Sequence, residues 1–118
     1  MLISCQINGF PRYWFLADTG AAYTVIKPDV VDEINLDIAN PLRYQQISSL
    51  HQTDRVPVVR LDQMQVGYYS VTGLEALVME LPHTLRIDGL LGVNFLGRFG
   101  ASFEFDSATL ILRARPSR

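Results

Sequence analysis

An all-β domain, a small closed or half-open barrel with one or two short helices, is what this sequence predicts, and three features carry the prediction. Short β-type apolar runs follow one another along the chain, each bounded by turn residues. No internal repeat or low-complexity linker separates them. The apolar share, 48% of 118 residues, is enough to bury one modest core, and the length fits a single domain over residues 1–118.

The elements follow in order. Leu2 to Ile7 reads as a strand and Tyr13 to Ala17 as its partner, joined through Asn8-Gly9, the dipeptide best suited to positive φ in a hairpin. Pro11 argues for a loop longer than two residues. Asp18-Thr19-Gly20-Ala21 breaks the second strand, and Tyr23 to Ile26 resumes it. Lys27-Pro28-Asp29 opens a helical turn through Ile34, because Pro is tolerated in a first turn and an acid there complements the helix dipole. Leu42–Leu50 and Val56–Val66 form a hairpin around His51-Gln52-Thr53-Asp54. Gly67 turns the chain into Ser70–Met79, and Leu91–Leu96 reads as one brief helix. A last hairpin joins Ala101–Phe105 to Thr109–Arg113 around Asp106-Ser107-Ala108, before a polar tail that frays.

Composition removes several functions. Eight Gly and six Pro are ordinary, so fibrous and disordered classes are excluded. The net charge is −2, and nine Arg and one Lys are scattered, so a nucleic-acid partner is not expected. Cys5, the single cysteine, reads as a buried inert thiol in a strand. No apolar run approaches the ~18–20 residues of a membrane span. The start MLISCQINGF has neither a basic n-region nor an apolar h-region, so it is not a signal peptide. Leu2-Ile3-Ser4-Cys5 superficially resembles a lipoprotein box, but only Met1 precedes it. The chain begins almost inside a strand, as a domain cut from a longer protein would. Its compartment stays open, cytoplasmic by default. One Cys and two His, His51 and His83, supply no metal-ligand cluster, and neither metal nor cofactor is expected.

Asp18 is the residue that asks for chemistry. It ends the run Tyr13-Trp14-Phe15-Leu16-Ala17, where a carboxylate is costly to desolvate unless donors converge on it or it keeps a proton. Thr19 offers a hydroxyl, Gly20 lets backbone or ligand approach closely, and Ala21 and Ala22 keep the next turn small. A bare Asp-x-Gly also suits a plain turn. The discriminating feature lies downstream, where Ile87-Asp88-Gly89-Leu90-Leu91-Gly92 suits a strand threading close to another backbone before Val93-Asn94-Phe95-Leu96.

Together, Asp18-Thr19-Gly20-Ala21 after an Asn8-Gly9 hairpin and Leu90-Leu91-Gly92 downstream resemble the retropepsin-like aspartic proteases, most nearly their cellular and bacterial single-domain members. The likeness runs from about Ile3 to Leu112 and includes Val56-Pro57-Val58-Val59 and Phe99–Phe105. It implies an endopeptidase that is a homodimer, because the chemistry needs two carboxylates sharing a proton and this chain has one Asp-Thr-Gly. It implies that Asp18 is catalytic and that Thr19, Gly20 and Ala21 support the active loop. A flap over Ser48–Asp54 would cover an extended peptide, with Ala22, Ser49, Leu50, His51 and Leu90 along the substrate. Asp88, an Asp-Gly turn residue, is structural rather than an intramolecular partner.

This sequence departs from the family pattern at Ala17, where a larger branched residue is usual. Ala22 and Val93 stand where retroviral members carry an ion pair. The segment from Ser48 to Asp54 contains no Gly, which motivates two alternatives: a non-catalytic dimerisation or peptide-binding module, and an inactive half of a larger polypeptide. Trp14, Phe15, Phe95, Phe99, Phe103 and Phe105 read as core or interface, and Tyr68-Tyr69 as a solvent-facing turn.

Overall fold

A computed structural model describes residues 1–48, 51–100, 102–104 and 109–113. Strand β1 (Leu2–Ile7) alternates exposed and buried positions, sending Ile3, Cys5 and Ile7 inward. Strand β2 (Phe10–Ala17) returns antiparallel, with Ile3 opposite Phe15 and Cys5 opposite Tyr13. Asn8 and Gly9 hold φ of 51° and 81°, so the connection is a two-residue turn and not the longer loop expected from Pro11. The register shifts between Cys5 and Ile7, and this irregularity accommodates Pro11, which has no N–H for a ladder.

Three further strands belong to the barrel wall: β3 (Thr24–Ile26), the long β5 (Thr53–Val66) and β6 (Tyr69–Val78). Strand β4 (Arg43–Ser48) pairs only with β5 in the sheet, and β7 (Gly89–Leu91) lies between β2 and β3. The sheet order β1-β2-β7-β3-β6-β5 returns to β1 through Gln6 opposite Gln65 and Ile7 opposite Met64, closing a six-stranded barrel with β4 outside it. Pairing is parallel between β2 and β7 and between β3 and β6, and antiparallel elsewhere. Strands β8 (Ser102–Glu104) and β9 (Thr109–Ile111) form a separate hairpin. Residues 101, 105–108 and 114–118, among them the expected Asp106-Ser107-Ala108 turn and the polar tail, fall outside the described residues, as do the side chains of Phe103 and Phe105.

Two short helices pack on the barrel. Helix α1 (Pro28–Glu33) has Pro in its first turn, buries Val30 and Val31, and ends where Asn35 takes φ 59° and Leu36 N–H bonds the Val31 carbonyl. Helix α2 (Val93–Leu96) is too short to persist on propensity; fully buried Phe95 and nearly buried Leu96 hold it in place. The expected helix Leu91–Leu96 is therefore split: Leu91 pairs with Ala17 in β7, and extended Gly92 separates strand from helix. The ladder also takes in Thr53 and Asp54, opposite Ser48 and Ile47, so β5 begins before the Val56 that the sequence suggests. A 3-10 turn at His83–Leu85 adds an element beyond those the sequence predicts.

The main core gathers Phe15, Ile26, Leu61, Met64, Leu91 and Phe95, and Phe99 packs on Phe95 and Tyr69. Trp14 is not in the core. It is 44% exposed on the outer face, because Tyr13 and Phe15 take the inward positions. Cys5 is buried, and burial first, then the charge of Asp88, pushes its thiol pKa up to about 12, as expected of an inert thiol. Tyr68 is wholly exposed at the β5–β6 turn, and with Tyr69 it lines a cavity of about 410 Å³.

Candidate active site

Strand β2 ends at Ala17, and the chain turns through Asp18 onto the surface. Asp18 is half-buried, while Thr19 and Gly20 are exposed. Asp18 N–H donates to the Leu91 carbonyl at 3.0 Å, and its own carbonyl accepts from Ala21 N–H at 3.2 Å. Oδ1 of Asp18 accepts from Gly20 N–H at 2.9 Å. A Cβ at Gly20 would stand 3.2 Å from that same oxygen, so a larger residue would press on the carboxylate.

The loop is braced from behind by the start of α2. Val93 N–H donates to the Ala21 carbonyl at 2.8 Å and Asn94 N–H to that of Ala22 at 3.2 Å. Oδ1 of Asn94 accepts from both the N–H and the hydroxyl of Thr24, each at 2.8 Å, and its Nδ2 donates to the Glu75 carbonyl at 2.7 Å. The Thr24 hydroxyl in turn accepts from Gly92 N–H at 3.2 Å. Thr24 has no exposed surface, so this network satisfies groups that would otherwise be buried without partners.

The two crossing segments touch backbone to backbone. A Cβ on Gly89 would lie 2.1 Å from the Val25 carbonyl oxygen and 2.6 Å from Phe15, and one on Gly92 would lie 2.4 Å from Tyr23 backbone atoms. Close approach is thus what these glycines permit, as the sequence suggested. Asp88 acts locally, on β2: its Oδ2 accepts from Trp14 N–H at 2.8 Å, and its own N–H donates to the Trp14 carbonyl at 2.8 Å.

A second apolar cluster lies on the outer face, apart from the main core. Val25, Val58 and Leu77 are buried there, and half-buried Tyr23, Ile47, Val56 and Leu90 pack around them. Ile47 and Val56 come from the β4–β5 hairpin, Tyr23 from the loop after Ala22, and Leu90 from β7. The residues singled out in the sequence divide accordingly. Asp18, Thr19, Gly20, Ala21 and Ala22 are consecutive on one loop, and Leu90 joins them through its pairing with Leu16 and Val25. His51 is exposed at the far end of the hairpin, and Ser49 and Leu50 lie outside the described residues. Thr24 and Asn94 escape a reading of the sequence. Their only signal there is a polar residue inside each of two apolar segments.

Among the described residues no three His, Cys, Asp or Glu side chains are grouped to hold a metal, and no helix is long and apolar enough to cross a membrane.

A closed barrel of this order, with a loop carrying Asp18-Thr19-Gly20 braced by a second strand and helix, is the retropepsin-like fold. The family model described as aspartyl protease matches residues 3–95, and the chain belongs to that family. A solved structure, a retropepsin-like aspartic protease from Rickettsia conorii, is similar with a TM-score of 0.73 and 23% identity, covering 96% of this chain and 81% of that one. At that identity the likeness speaks to the fold alone. No curated protein matches.

Proposed function

We propose that this chain is an aspartic endopeptidase that acts as a homodimer and hydrolyses peptide bonds with a water held between two Asp18 carboxylates, one per subunit. The observation that carries the proposal is the setting of Asp18: a carboxylate at a strand end, on a loop pinned through its backbone, with exposed Thr19 and Gly20 beside it. Membership of the aspartyl protease family supports the same reading. The chain contains one Asp-Thr-Gly, and the carboxylate of Asp88 is engaged by Trp14, so a second copy is the source of the partner acid.

The chemistry follows from proximity. Two carboxylates at hydrogen-bond distance cannot both ionise, so the pair holds one proton. The ionised member accepts a proton from the water as its oxygen attacks the peptide carbonyl. The protonated member donates to the developing oxyanion, and the amine leaves after receiving a proton from the pair. Gly20 N–H on Oδ1 fixes the carboxylate plane. Thr19 braces the two loops across the axis, and Gly20 and Ala21 present backbone to the peptide. The β4–β5 hairpin is the flap, its tip including Ser49, Leu50 and His51, and an extended substrate lies beneath it against Ala22 and Leu90. The apolar cluster around Val25 and Leu77 favours apolar residues on both sides of the cut.

Asp18→Asn tests the assignment. It is expected to leave the fold and the sedimentation of the dimer unchanged, and to abolish both peptide cleavage and tight binding of a statine-containing peptide. Proteolysis retained in a clean Asp18→Asn preparation rejects it. A dimer that binds peptide, ignores statine and cuts nothing establishes instead the non-catalytic module suggested by the glycine-free segment Ser48–Asp54.

A further inference from the structure

We infer that Arg43 is a positioning residue that clasps the β4–β5 hairpin to the loop carrying Asp18, and thereby sets how firmly an extended peptide is held. The inference rests on the proposed role of Asp18 and extends it to residues off the loop.

Strand β4 lies at the end of the sheet order, bonded to β5 on one edge only, so beyond that single ladder its side chains are what tie it to the rest of the barrel. Arg43, at the base of that strand, reaches across β5. Its Nη1 lies 2.7 Å from Oε1 of Glu75 on β6, and its Nη2 donates to the Tyr23 hydroxyl at 3.4 Å. The guanidinium carbon sits 6.0 Å from the centre of the Tyr23 ring. Two routes therefore join the hairpin to the active loop. One is direct, through Tyr23, which follows Ala22. The other runs from the Glu75 carbonyl to Asn94 Nδ2 at 2.7 Å, then from Asn94 N–H to the Ala22 carbonyl at 3.2 Å.

Strand register puts Arg43 on the side that matters. Arg43, Gln45 and Ile47 alternate onto one face of β4, and Ile47 packs with Tyr23 and Leu90 on the outer apolar cluster. Lifting the hairpin off that cluster separates Arg43 from both partners. Other cations stand close by: Arg60 is opposite Glu75 in the ladder, and Arg98 lines a cavity of about 220 Å³ with Tyr23, Glu75 and Asn94. Arg43 is the one bonded to the carboxylate among the described residues. The pair is partly exposed, with 40% and 34% of the two side chains accessible, so salt screens it. That sensitivity distinguishes the clasp from the apolar packing beside it.

The test compares wild type with Arg43→Gln, Glu75→Gln, Arg43→Lys and the exchange Arg43→Glu/Glu75→Arg. The substrate is a fluorogenic eight-residue peptide with leucine and valine flanking the central bond, assayed at low and high salt. In Arg43→Gln and Glu75→Gln, KM is expected to rise about two- to five-fold, the range of an exposed ion pair, with kcat within two-fold. Wild-type KM should approach those values as salt is raised, while theirs stays flat. Arg43→Lys should recover part of the loss and the exchanged pair most of it. An unchanged KM in Arg43→Gln, or a loss confined to kcat and thermal stability, overturns the clasp. Amide exchange of residues 43–47 and 53–58 is measured on the same proteins without substrate. If wild type cuts nothing, the Asp18 proposal fails. The clasp is then judged on exchange alone: faster exchange in Arg43→Gln upholds it, and identical exchange overturns it.

Discussion

Replacing Thr24 by Val tests whether the network behind the Asp18 loop is held by a hydroxyl or by shape. Thr24 is fully buried, and valine fills nearly the same volume. The change deletes the O–H bond to Asn94 Oδ1 at 2.8 Å and strips Gly92 N–H of its acceptor at 3.2 Å. The lost bond costs about 1 kcal/mol, and a buried donor without a partner costs about 1–3 kcal/mol. The added methyl returns about 0.8 kcal/mol. The net loss is about 2 kcal/mol, and with about 4 °C per kcal/mol for a chain of this length, Tm should fall about 8 °C. Thr24→Ser keeps both hydroxyl bonds and loses only a methyl, so it should cost about 1 kcal/mol. Thermal and urea unfolding of the three proteins, with unchanged m-values, measures the order. A Val variant as stable as wild type, or a Ser variant weaker than Val, would show that packing and not the hydroxyl secures the loop.

Gly89→Ala places a methyl 2.1 Å from the Val25 carbonyl oxygen, a backbone atom that cannot rotate away, and should cost about 3 kcal/mol or more by urea unfolding, if the protein is recovered folded at all. Asp88→Ala removes the acceptor of Trp14 N–H and should cost about 1–2 kcal/mol while leaving kcat within a few-fold, and Asp88→Asn, which keeps an acceptor, should cost less. Loss of turnover in a folded Asp88→Asn would return that residue to the chemistry. The Cys5 thiol, with its pKa raised from 9.0 to about 12, stays protonated in the folded chain when the unfolded chain ionises. Its contribution is therefore complete below pH 9 and declines between pH 9 and about 12, by about 1.4 kcal/mol per unit; the urea midpoint should fall over that window in wild type more steeply than in Cys5→Ala.

The elements that sequence locates best are those whose signals are local. Leu2–Ile7 alternates, and Asn8-Gly9 can take positive φ at both residues, so the first hairpin is encoded within a dozen positions. Pro11 misleads because a missing N–H matters only where the ladder needs it, and the register shift near Cys5 removes that need. The predicted Leu91–Leu96 helix is too long because Leu91 has helical propensity but is claimed by long-range pairing with Ala17. Asp18 is legible from its apolar approach and its Thr and Gly neighbours. The Arg43–Glu75–Tyr23 contact is not, because it joins residues 20 to 52 positions apart that no local pattern relates.

The uncharged pair Ala22 and Val93 has a physical counterpart in the brace. Ala22 and Val93 cannot form an ion pair, yet the same two segments are joined by Val93 N–H to the Ala21 carbonyl and Asn94 N–H to the Ala22 carbonyl, with the Asn94 amide tying in Thr24 and Glu75. Every group in this clamp is a neutral amide, hydroxyl or carbonyl. An ion pair in that place would weaken as its acid took up a proton, in the very pH range where a pair of carboxylates sharing one proton does its work. A neutral clamp has no such dependence and is insensitive to salt. The backbone and amide bonds behind the Asp18 loop thus depend on neither acid nor salt, while the β4–β5 hairpin is tied to Glu75 in part by an exposed ion pair that responds to both.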